Sequence, residues 1–181
     1  SDGPPAGWRG GAGGVIVGGK ALTTGGLGTS TEISGVISGT GGSLVKAGTG
    51  TLSLSGANTH TRPPSVAEAT VRAGAATPFS AAPADGVAAG ATLDLAGLSQ
   101  RVAALANGGT VSLVGSAPGT TLTVSGPYTG NNGVLRLGTA LGADGSASDR
   151  LVLDGPGAVA SGSTTVQMVN LGGLGALTSG N

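Results

Sequence analysis

Thr51-Leu52-Ser53-Leu54-Ser55-Gly56 is a phrase that returns as TLDLAG at Thr92–Gly97, TVSLVG at Thr110–Gly115 and TLTVSG at Thr121–Gly126. Looser copies read SLVKAG at Ser43–Gly48 and RLVLDG at Arg150–Gly155. Apolar residues two apart share one side of an extended strand, and the closing glycine permits a turn. One such strand cannot bury its apolar face alone, whereas a stack of them can. The leading threonines at 51, 70, 92 and 110 recur about every 18–22 residues, close to one coil of a parallel β-helix.

Composition agrees with a thin column. The chain has 181 residues, of which 39 are Gly and 9 Pro, a level at which low-complexity disorder has to be weighed. Against disorder stand a net charge of zero and a period-two apolar pattern. With one Trp (Trp8), one Tyr (Tyr128) and one Phe (Phe79), a wide sandwich would be under-filled, so Leu, Val, Ile and Ala must form the core. There is no cysteine, which excludes a disulfide framework, a thiolate metal site and a Cys nucleophile. The charges are scattered singly, so no basic stripe for nucleic acid exists. No apolar run is long enough for a membrane-spanning helix and no signal peptide is visible, so if the protein is exported its signal lies outside this stretch.

The chain divides into three. Residues 1–26 form a Gly- and Pro-rich, loose segment, with Val15-Ile16-Val17 a candidate strand. Residues 27–120 carry the repeated strands, broken at Arg62-Pro63-Pro64, with 75–90 a wider corner excursion. Ser99–Ala106 suits either a short helix by propensity or another side of a coil. Residues 121–181 change register. There, Asn132-Gly133 is a hairpin signal, followed by strands at Val134–Leu137, Arg150–Leu153 and Thr164–Val169. The expected fold is all-β: a right-handed single-stranded parallel β-helix, a solenoid, with a hairpin-containing C-terminal cap.

The stretch Ser38–Thr61, SGTGGSLVKAGTGTLSLSGANTHT, closely resembles the passenger-associated transport repeat of bacterial autotransporters, G-x-L-x-K-x-G-x-G-x-L-x-L-x-G-x-N-T-Y-T-G. Leu44, Lys46, Gly48, Gly50, Leu52, Leu54, Gly56, Asn58, Thr59 and Thr61 fall on its marked positions. His60 replaces the usual Tyr, and Arg62-Pro63-Pro64 the usual Gly-rich turn. Ala73–Gly109 resembles the repeat's continuation. Tyr128–Gly155 and Ala160–Gly175 resemble the autochaperone segment that, in this family, ends the passenger before the outer-membrane barrel.

The resemblance implies a pertactin-like passenger fragment of a type V secretion protein. It would lie on the extracellular side of a Gram-negative outer membrane, and the autochaperone segment would be truncated here. The implied role is non-catalytic: a β-helical stalk supporting translocation and folding of the passenger. The implied partner is the protein's own C-terminal outer-membrane β-barrel, outside this chain. The alternatives are an adhesin-type module contacting host or bacterial surfaces, or a carbohydrate-cleaving β-helix. No cofactor, nucleic acid or small-molecule substrate is expected.

Chemistry-bearing residues are few. His60 is the only histidine, too little for a triad or a zinc site, and reads as a solvent-facing corner residue. Asp144, Asp149 and Asp154 lie in an oxygen-rich loop, but without calcium-loop spacing they read as turn residues. Gly14–Ala21 imitates a phosphate loop, yet Ala21 stands where Ser or Thr would hold magnesium. Asp85 and Asp94 could form a carboxylate pair only if stacked on adjacent coils. Lys46 and Arg72 read as solvated outer-face residues. Catalytic, cofactor and metal residues are therefore none. Leu151, Leu153, Val166 and Val169 are expected in the core, with Asp149 and Gly155 in turns.

Overall fold

The computed structural model describes residues 13–60, 65–66, 69–76, 79 and 86–177. Residues 1–12 of the 1–26 segment, the Arg62-Pro63-Pro64 break, much of the 75–90 excursion and Asp85 lie outside them. The strands are β1 Val15–Ile16, β2 Ala21–Thr24, β3 Thr31–Ile33, β4 Ile37–Ser38, β5 Ser43–Lys46, β6 Thr51–Leu54, β7 Ser65–Val66 and β8 Thr70–Ala73. They continue as β9 Thr92–Asp94, β10 Gln100–Val102, β11 Leu105–Asn107, β12 Thr110–Ser112, β13 Thr121–Val124, β14 Tyr128–Ala140, β15 Arg150–Leu153 and β16 Ala160–Gly172.

The repeated phrases stack as the period requires. Thr51 pairs with Thr70, Thr70 with Thr92 and Thr92 with Thr110. Among the described residues every strand pairing is parallel, and each strand meets one from the neighbouring coil. The main sheet runs β11-β14-β12-β9-β8-β6-β3 with β16 on β14, flanked by β10-β13-β15, β2-β5-β7 and β1-β4. The result is an all-β, strongly curled parallel sheet, consistent with a right-handed β-helix solenoid.

The core is a set of in-register columns. Leu52, Val71, Leu93, Val111 and Leu135 lie one above another and are all buried. Each such aliphatic side chain contributes on the order of 1.5–3 kcal/mol by leaving water. Ser99–Ala106 is not helical: it holds β10 and the start of β11, another side of the coil.

The C-terminal coils depart from the sequence reading in two ways. Asn132-Gly133 makes no hairpin. β14 runs through it, with the register against β16 shifting between Asn131 and Gly133. Asn132 sits at φ 61, so the pair forms a bulge within one long strand. The antiparallel element lies later, where Thr139 bridges Ser148 around a short excursion. Second, Val166 is 56% exposed and Leu153 36%, while Leu151 and Val169 are only partly buried. They do continue the core columns, Val166 over Leu135 and Leu153 over Val124. They belong to the last described layer, and no described strand stacks on β15 or β16 from beyond.

Candidate functional site

Polar side chains inside a solenoid this thin need hydrogen-bond partners from their own or neighbouring coils, and several of them stand at its corners. The first is Lys46, at the end of β5 with 0% exposure, not a solvated outer-face residue. It shares the parity of Leu44, so its stem points inward. Its Nζ donates to the carbonyls of Ala47 at 2.8 Å and of Gly48 and Thr49 at 3.1 Å. A Cβ at Gly25 of the preceding coil would collide with this ammonium. Burial pushes the Lys46 pKa below its ordinary value.

The second corner holds Asn58 and His60. Asn58 Oδ1 accepts the Ile37 N–H at 2.8 Å, and the Thr59 N–H donates to Ile37 O at 2.9 Å. His60 is 0% exposed, so it does not face solvent. The alternation that buries Leu52, Leu54, Gly56 and Asn58 carries on to it. Burial lowers its pKa, and a backbone hydrogen bond with Ile37 partly opposes that. Enclosed in this way, it cannot meet an external substrate as an acid or base.

The third group lies in the C-terminal coils. Asp149 is 4% exposed, and its carboxylate accepts three backbone N–H groups: Gly119 and Thr120 on Oδ1, both at 2.8 Å, and Gly138 on Oδ2 at 2.7 Å. One layer across, Asn107 Nδ2 donates to Tyr128 Oη at 3.4 Å and to Val134 O at 3.2 Å, and Tyr128 Oη lies 2.9 Å from Thr164 Oγ1. The single tyrosine thus joins polar atoms of β11, β14 and β16. Neither the tyrosine network nor the buried lysine was anticipated, although Lys46 carried a signal in its position two after Leu44.

The remaining candidates are not brought together. Asp94 faces Arg72 at 3.5 Å on the outer face, and Asp85 lies outside the described residues. Asp154 pairs with Arg101 at 3.4 Å, while Asp149 is engaged in the backbone, so the three acids of 144–154 form no shared oxygen cage. Among the described residues no group of three or more His, Cys, Asp or Glu could hold a metal ion. After Lys20 comes strand β2, so no helix N-terminus stands where a phosphate loop needs one. A Cβ at Gly155 would strike the Ser125 carbonyl, so this glycine marks close contact between coils.

What the geometry can do is hold a column together and present its sides. Outward positions run in register from Glu32 through Ser53, Arg72, Asp94, Ser112 and Arg136 to Gln167, a polar ladder along the sheet in which Ser112 is covered by its neighbours.

Residues 101–181 match the family described as Autochaperone Domain Type 1. Over 158 residues, 83% of this chain, it is 40% identical to the Adhesin BmaC autotransporter of Brucella suis biovar 1. It is 45% identical over 84 residues, 46% of the chain, to Uncharacterized protein YuaQ of Escherichia coli K12. To the Probable autotransporter YfaL of the same strain it is 46% identical over 71 residues, 39% of the chain. It spans only 4%, 6% and 5% of the lengths of these three relatives.

Proposed function

The chain belongs to the autotransporter passenger-domain family, and from that membership we propose that it serves as an adhesin-type module of a surface-displayed passenger. Passenger domains of this family are extracellular, surface-exposed components of outer-membrane proteins, of a type that is typically non-catalytic. Membership also implies a cognate C-terminal β-barrel translocator, which is not within these 181 residues. Contact with host or bacterial surfaces is the finer reading. The observation that carries it is the 40% identity to a named adhesin over most of the chain. The in-register outer ladder Glu32–Gln167 gives that contact a physical form: a rigid polar face, supported by a packed core.

The test is adherence. Beads coated with the 181-residue chain should bind cells. Replacing Arg72, Asp94 and Arg136 together by Ser should reduce bound beads several-fold without loss of fold. Equal binding by coated and albumin-blocked beads would sink the reading.

A second reading is favoured by the autochaperone match over residues 101–181: these coils help the passenger fold and support its passage to the surface. A folded end presents an open strand on which the next coil can pair. With the division at about residue 120 as the working boundary, deletion of Thr121–Asn181 should slow refolding of the remainder and lower its yield. Unchanged rate and yield would remove this reading.

A further inference from the structure

Between β14 and β15 the chain leaves the column and returns. The neck of this excursion is closed by the Thr139–Ser148 bridge, the Ala140 N–H donating to Ala147 O at 2.9 Å, and the two hydroxyls of Thr139 and Ser148 at 2.7 Å. Such a detour carries no register of its own. The returning strand does little to supply one, because Leu151-Val152-Leu153 is apolar at three successive positions. A slip of one residue would turn Leu151 and Leu153 outward and Val152 inward, still an apolar residue on the core face, with Arg150 and Asp154 turned inward at either end. Within Leu151–Leu153 hydrophobic patterning therefore selects poorly between the two pairings of β15 on β13, and the choice falls to the flanking charged residues.

We propose that Asp149 is the register lock of the last coils. Its carboxylate spans two neighbours at once, the 119–120 corner beneath it through Oδ1 and β14 through Oδ2. Two backbone bonds reinforce the position: the Asp149 N–H donates to Gly138 O at 2.8 Å, and the Arg150 N–H donates to Thr120 O at 2.8 Å. The flanking residues cannot take its place. A Ser148 hydroxyl has one oxygen on a shorter arm, and the Arg150 guanidinium has no acceptor. A one-residue slip in either direction thus forfeits three carboxylate bonds together. The cradle leaves no slack, since a Cβ at Gly138 would meet Asp149 Oδ2 at 2.9 Å and press into Leu171. The inference deepens the reading of these coils as a folding cap, for which it names the residue that aligns the chain's return.

The chain has no native cysteine, so introduced pairs report register without background. Thr121 and Arg150 are register partners with side chains on the outer face. In the full 181-residue chain, T121C/R150C should cross-link on oxidation. T121C/L151C, whose second position faces inward, should not. Adding D149N or D149S, followed by unfolding and refolding, should lower the ratio of the first cross-link to the second about tenfold. D149N also sets a donor against a backbone N–H. A ratio unchanged in either variant would overturn the lock. Should both fail to refold, D149E, which keeps two oxygens on a longer arm, is read by hydrogen exchange. Faster exchange at Gly119, Thr120 and Gly138 supports the lock, and unchanged exchange overturns it. A silent deletion of Thr121–Asn181 would instead sink the cap reading and leave the lock standing.

Discussion

Lys46 and His60 show how a residue that strand parity turns inward is misread as solvent-facing from its chemistry. Lys46 stands two after Leu44, and His60 ends a run of alternate positions through Leu52, Leu54, Gly56 and Asn58. Strand parity alone sends both inward. A lysine and a lone histidine nevertheless read as solvated, because neither backbone cup is visible in a string of letters. For Lys46, replacement by Met keeps the stem and deletes the three donors. K46M should destabilise the chain by about 1–3 kcal/mol in urea unfolding, since three carbonyls lose a charged partner. For His60 the sign follows from its lowered folded pKa: the unfolded chain takes up the proton first. Stability should be full above the ordinary value of 6.5 and should fall as pH drops from there towards the folded value. Melting temperatures across pH 5 to 8 would show it, and H60L should flatten that dependence; a wild-type profile in H60L would remove the assignment.

At the scale of strands, the repeated phrase was a sound guide wherever a coil has the regular length of about 20 residues. Thr51, Thr70, Thr92 and Thr110 stack as their spacing requires. It misled at Asn132-Gly133, because a left-handed Asn before Gly serves a bulge as well as a hairpin, and the choice depends on the partner strand. Two substitutions separate the roles. N132G should change stability by no more than a few tenths of a kcal/mol, whereas N132V forces a β-branched residue to φ 61 and should cost about 1–2 kcal/mol. Equal effects would mean the bulge conformation is not required. In the buried column, L122A should cost about 2–5 kcal/mol, as a cavity opens between Gln100 and Leu151. The exposure of Val166 was not legible in the phrase at all, since period two says which way a side chain points and not whether another layer lies above it.

For the molecule as a whole, the hydrogen bonds that join coils run along the column, not across it. Each coil is held chiefly by the one before and the one after, so stretching the protein between residues 13 and 177 loads those bonds in line with the pull. It should therefore unzip coil by coil, in steps of about 70 Å, from about 20 residues at 3.3–3.6 Å each. A single-molecule force trace should be a train of low, evenly spaced peaks, with a taller one where Asp149, Tyr128 and Asn107 tie the last coils. One abrupt rupture of the full length would show the coils to be mechanically fused. A column that gives way in stages spreads an applied extension over many small ruptures, so most of its coils stay folded while a few yield.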